Sequence, residues 1–149
     1  MSPLHELFEN TIFMTAAGSW LIAQVLKTII HMILNKQFVA ERLVGGGGMP
    51  SCHSATVCSL ATAVFHEYGM GSFEFAISLI LAIIVMYDAM GVRRAAGEQA
   101  KVLNRLVEDI AQGKKEYMEK DLKELIGHTP LQVFMGAVVG VVTGAVFPV

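Results

Sequence analysis

Residues 12–34, "IFMTAAGSWLIAQVLKTIIHMIL", carry a single formal charge, Lys27. About 20 consecutive apolar residues are enough for a helix to cross the hydrocarbon core of a bilayer, so this stretch decides the fold class. Two other runs resemble it: "FAISLILAIIVMY" at 75–87 and "LQVFMGAVVGVVTGAVF" at 131–147. A fourth, "SATVCSLATAVFHEYGMG" at 54–71, is richer in small residues. It suits a helix surrounded by protein better than one facing lipid.

Composition points the same way. Of 149 residues, 54 % are hydrophobic and 16 % charged. The net charge of −2 gives no basic surface for nucleic acid, which such binding requires. A soluble helical protein with buried core helices is the alternative, and the long uncharged stretches count against it. "MSPLHELFENT" has no basic region before its apolar segment, so no cleavable signal peptide is expected. Cys52 and Cys58 form no CxxC pair and suggest neither a disulfide scaffold nor a zinc site.

The basic residues orient the chain. Lys36 and Arg42 fall in the first connection, and Arg93, Arg94, Lys101, Arg105, Lys114, Lys115, Lys120 and Lys123 in the third. None falls in the N-terminal tail, in "EYGMGSFE", or after residue 130. The positive-inside rule then puts those two connections in the cytoplasm and both termini outside. The expectation is an all-α, polytopic bundle in the cell inner (plasma) membrane, one domain over 1–149. It has about four transmembrane helices, near 12–34, 54–71, 73–90 and 130–147, and a cytoplasmic helical connection over 92–129. In that connection "GEQAKVLNRLVEDIAQ" gathers Ala100, Leu103, Leu106, Val107 and Ile110 mainly on one helical face. "KKEYMEKDLKELIG" reads as a second, charged helix ending at Gly127. Gly136, Gly140 and Gly144 recur every fourth residue, which permits close helix packing within or between subunits.

Chemistry concentrates at the cytoplasmic ends. In "GGGGMPSCHSATV", 45–57, glycines let backbone approach a bound group, and Pro50 and Ser51 suit a helix start whose free N–H groups favour anions. Ser51 and Ser54 can cap that helix or donate to an oxyanion, and His53 titrates beside them. A glycine hinge with ordinary serine capping explains the stretch as well. In "YDAMGVRRAAGEQ", 87–99, Asp88 ends an apolar span and needs a partner, while Arg93 and Arg94 have the guanidinium shape that suits phosphate. "GHTP", 127–130, sets His128 directly before the last span. Lys27 lies toward the same face, whereas His5 and His66 fall on the outer side. Two histidines, two arginines, serine hydroxyls and a helix N-terminus suit a phosphomonoesterase. One imidazole attacks phosphorus, another protonates the leaving oxygen, and arginines and amides stabilise the equatorial oxygens.

"GGMPSCHSA", "DAMGVRRAAGEQA", "LNRLV" and "ELIGHTPLQVF" together resemble the divergent branch of the PAP2 phosphatases, which is related to acid phosphatases and vanadium haloperoxidases. The resemblance covers nearly the whole chain. It implies that Pro50, Ser51, Cys52 and His53 match the P-S-G-H motif of typical members, with cysteine in place of glycine. Ser51 then contacts phosphate and His53 is the general acid. By motif order His128 matches the nucleophile, and Gln132 stands where the supporting aspartate is usual. Arg93 or Arg94 matches the motif arginine, at a much longer spacing from the histidine, and Lys27 matches the first-motif lysine without its arginine partner.

The function expected is hydrolysis of a phosphomonoester on a lipid head group, such as phosphatidylglycerophosphate, phosphatidate or a polyprenyl phosphate, at the cytoplasmic face. His53 and His128 would be catalytic. Ser51, Ser54, Arg93, Arg94 and Lys27 would bind phosphate, with Gln132 and Asp88 in support. No cofactor is needed for that chemistry; the alternative is Mg²⁺ held by Asp88 and Glu98. Expected partners are the phospholipid or prenyl phosphate substrate, the bilayer and a second copy of the chain. A non-catalytic membrane protein that binds phospholipid head groups or partner proteins is the competing class.

Overall fold

The computed structural model describes residues 2–36, 48–111 and 128–147, apart from the side chains of 92–94, 98, 105 and 108–111. All its regular structure is helical: α1 Pro3–Glu9, α2 Thr11–Asn35, α3 Cys52–Tyr68, α4 Phe73–Met90, α5 Val92–Ala111 and α6 Pro130–Val146. The helix starts follow from local chemistry. Asn10, Ser51, Ser72 and Thr129 each accept a backbone N–H from three residues ahead, satisfying donors that a helix start otherwise leaves orphaned. The charged helix expected over 114–127 lies outside the described residues.

The packing is inverted relative to a soluble protein. The largest fully buried side chains are Lys27, Ser19, Ser51, Ser54 and Ser59, whereas Leu21, Ile80, Ile84, Phe134, Val138 and Val142 face outward. A soluble domain with that surface would expose far more contiguous apolar area than water tolerates. In lipid, large apolar residues have no reason to turn inward, and small residues let helices approach. α2 and the helix beginning at Phe73 are long and apolar enough to cross a membrane. Their most apolar windows are only 22 % and 18 % buried, unlike the core helix of a soluble protein. The protein is an all-α, membrane-associated helical protein with at least these two candidate spans.

Small-residue-rich α3 is the hub, touching α2, α4 and α6. Its tightest seam is with α6. A Cβ added at Gly136 would come within 2.9 Å of Ser54 Cβ, one at Gly140 within 2.8 Å of Cys58 Cβ, and one at Gly144 within 2.7 Å of Thr62 Cβ. The glycine series therefore seats α6 on α3 of the same chain. Ser19 Oγ donates to the Ala55 carbonyl at 3.1 Å, tying α2 to the other side of α3. Phe65 and Phe75 pack at 5.7 Å beside the α3–α4 turn. The opposite end of the bundle gathers the C-terminal half of α2, the start of α3, the end of α4 and the start of α6.

Candidate functional site

Two backbone bonds fix that end. Ser51 N–H donates to the Gln132 carbonyl at 3.0 Å, and His128 N–H donates to the Ala89 carbonyl at 3.1 Å. The first joins the start of α3 to α6, and the second pins the residue preceding α6 to the end of α4. His53, in the first turn of α3, and His128 are thereby brought together, with ring centroids 6.3 Å apart and planes at 61°. His53 is half-buried and His128 is buried.

The capping box of α6 fixes the chemistry of His128. Gln132 Oε1 accepts the Thr129 backbone N–H at 3.1 Å. Because a backbone N–H can only donate, the amide must present its oxygen there. The same oxygen lies 3.2 Å from His128 Nδ1. It can only accept from that nitrogen, so the proton of the neutral ring sits on Nδ1 and the lone pair on Nε2. Gln132 thus orients the His128 ring without supplying a negative charge.

Lys27 is 2 % exposed. Its Nζ donates to Gln24 Oε1 at 2.7 Å and to Cys52 Sγ at 3.6 Å. Among the described residues no carboxylate pairs with it. A buried ammonium held only by neutral dipoles is costly unless an anion joins it. Gly48, at φ +90°, passes over its stem, and a Cβ there would lie 3.2 Å from Lys27 Cγ and 3.3 Å from Cδ. Only glycine combines that backbone conformation with so close an approach. Cys52 Sγ is also 3.9 Å from His53 Nδ1, so Lys27, Cys52 and His53 are contiguous.

Ser51 and Ser54 are fully buried. Ser51 Oγ accepts Ser54 N–H at 3.4 Å and Ser54 O–H at 3.1 Å. These are the contacts of a capped helix start facing Gly136. Arg93 and Arg94 lie in the first turn of α5, which follows α4 directly, and Glu98 one turn later; all three side chains fall outside the described residues. Asp88, in the last turn of α4, is half-buried and has an interaction partner. No three His, Cys, Asp or Glu gather to hold a metal ion among the described residues, which do not include the side chain of Glu98. His66 sits beside Phe65 and His5 pairs with Glu9 at 3.2 Å, both away from this cluster. Gln24 was not singled out by the sequence. Its signal was its place three residues before Lys27, on the same helical face.

The chain belongs to the divergent PAP2 family, whose pattern matches residues 8–143. It is 40 % identical over 146 residues to the protein named "Uncharacterized membrane protein YuiD" of Bacillus subtilis (strain 168), covering 91 % of this chain and 92 % of that one. No solved structure matches. Family membership supports a membrane function related to lipid phosphates.

Proposed function

From that membership we propose that the chain is a membrane phosphatase that hydrolyses a phosphomonoester on a lipid head group. The observation that carries this reading is the approach of His53 to His128 at 6.3 Å between ring centroids. At that separation both imidazoles are within reach of one phosphoryl group, one ring nitrogen toward phosphorus and the other toward an ester oxygen, with reacting atoms meeting near roughly 3–3.5 Å. Lys27 supplies buried positive charge next to His53, and a phosphate dianion would give it a counter-charge that no carboxylate among the described residues provides.

The chemistry proceeds in two balanced steps. His128 Nε2 donates its lone pair to phosphorus while the ester P–O bond breaks. His53, protonated, gives its proton to the departing oxygen and releases the lipid alcohol. The Nδ1–H of His128 stays on Gln132 Oε1, which holds the ring as it becomes cationic. Neutral His53 then takes a proton from water as its oxygen attacks phosphorus. The P–N bond breaks, phosphate leaves and both rings return to their starting states. Arg93 and Arg94, at the start of α5, would neutralise equatorial phosphoryl oxygens. Ser51 and Ser54 would support the helix start or donate to those oxygens, and Asp88 would support the arginines.

In the bilayer, α2, α3, α4 and α6 each cross, with both termini outside and this site at the cytoplasmic face. An amphipathic substrate reaches a site so placed directly from the membrane. The test is phosphate release in mixed micelles from phosphatidylglycerophosphate, phosphatidate and a prenyl phosphate, each with EDTA or added Mg²⁺. Release that survives EDTA and is lost in both His53→Ala and His128→Ala is expected. Release from none of these lipids by folded protein would favour the head-group-binding class instead, and EDTA-sensitive release would shift the chemistry to Asp88, Glu98 and a metal.

A further inference from the structure

The half of the molecule away from His53 and His128 contains a groove of about 460 Å³ between α4 and α6, floored by α3 and with His66 at its far end. Its floor carries Cys58, Thr62 and Phe65, and its walls carry Leu79 and Met86 on one side and Ala145 on the other. Thr62 turns its hydroxyl onto the Cys58 carbonyl at 2.8 Å, leaving its methyl group for the groove. Cys58 Sγ meets Met86 Sδ at 3.8 Å and closes the upper end. From Cys58 to His66 the floor runs about 12 Å at the helical rise of about 1.5 Å per residue.

The groove and the histidine pair occupy the same seam. His128 is bonded to Ala89, three residues beyond Met86 on α4, and α6 begins two residues after His128. α4 and α6 touch less than any other contacting pair of helices, so the seam opens below that clasp. A lipid whose phosphate sits between the imidazoles has its hydrocarbon directed down this seam. The chain passes on the lipid side of Met86 and Ala137, which pack with Cys58, and reaches the apolar groove beneath them.

We infer that this groove receives the distal half of the hydrocarbon chain of the phosphorylated lipid. The inference rests on the phosphatase reading for the position of the head group. The groove is almost wholly apolar, with His66 at its far end, so orientation is set by the head group at the other end of the seam.

The test uses full-length protein in phosphatidylcholine nanodiscs with a trace of phosphatidate that carries a diazirine at its acyl terminus. After photolysis, adducts are mapped by mass spectrometry. Adducts concentrated on Phe75, Leu79 and Ala145 are expected, and their loss when the same tail carries a phosphocholine head. Ala145→Trp, which fills the groove from α6, should abolish them, whereas Val146→Trp, at a neighbouring position 71 % exposed and outside the groove, should not. Adducts spread over outward-facing residues such as Ile84 and Val142, or labelling indifferent to the head group, would mean ordinary surrounding lipid and would overturn the inference. Phosphate-dependent labelling of the groove in a protein that releases no phosphate would sustain it while sinking the phosphatase reading.

Discussion

Gly136→Ala tests whether the α3–α6 seam organises the site. The new methyl would stand 2.9 Å from Ser54 Cβ and 3.1 Å from the Ser51 carbonyl carbon, with the Ser51 carbonyl oxygen nearer still. Carbon atoms settle at roughly 3.5–4.0 Å. The obstacle is the backbone of a capped helix, so α6 must withdraw by about 1 Å. Overpacking of this kind costs about 1–3 kcal/mol. Withdrawal also stretches the 3.0 Å bond from Ser51 N–H to Gln132, a loss of about 1 kcal/mol. Against these stands the better helix propensity of alanine, about 1 kcal/mol. The net expectation is destabilisation by about 1–3 kcal/mol. Gly18→Ala in α2 isolates the propensity contribution, because a Cβ there meets nothing within 4 Å. It should stabilise by about 0.5–1 kcal/mol. Reversible unfolding by SDS in mixed micelles measures both. A Gly136→Ala protein as stable as Gly18→Ala would refute the close α3–α6 contact and the placement of Gln132 that depends on it.

Gln132→Ala removes the acceptor for both His128 and Thr129. The neutral hydrogen bond to the ring is worth about 0.5–1.5 kcal/mol, so turnover should fall roughly two- to tenfold, with a further modest loss of thermal stability from the broken capping box. Gln132→Glu keeps both acceptors and adds a charge that stabilises imidazolium, so its turnover should match or exceed the parent; steady-state phosphate release distinguishes the two variants. Lys27→Met removes the buried cation while retaining most of its stem. Inorganic phosphate or vanadate should then inhibit much more weakly, while the protein is at least as stable, since a buried charge with no carboxylate partner among the described residues is gone. Unchanged inhibition constants would remove Lys27 from the anion site.

The membrane class of the chain was legible because it depends on composition over long stretches, and the start of α3 because "PS" before an apolar run is a local capping signal. Gly136, Gly140 and Gly144 announced a close neighbour without naming it; that α3 is the neighbour depends on the small residues of both helices meeting in space. The pairing of His53 with His128 was expected from their motifs, but what brings them together was hidden, since it rests on two backbone bonds between residues remote in sequence, Ser51 to Gln132 and His128 to Ala89. Lys27 was visible as an isolated charge and was expected to need an anionic neighbour. Among the described residues its partners are the neutral Gln24 and Cys52. Cys52 therefore has a contact to make, with the buried ammonium of Lys27. The match of Arg93 and Arg94 to the motif arginine rests on sequence order alone, because their spacing to His128 departs from the usual pattern.

The most direct test of the two-histidine account is to look for its covalent intermediate. An aryl phosphate, whose leaving group needs no proton, is mixed with the protein and quenched in alkali, where phosphohistidine survives, and the adduct is located by mass spectrometry. The account predicts a phosphoryl group on His128 that is absent in His128→Ala and still forms in His53→Ala. Continued turnover with no phosphorylated histidine would contradict it.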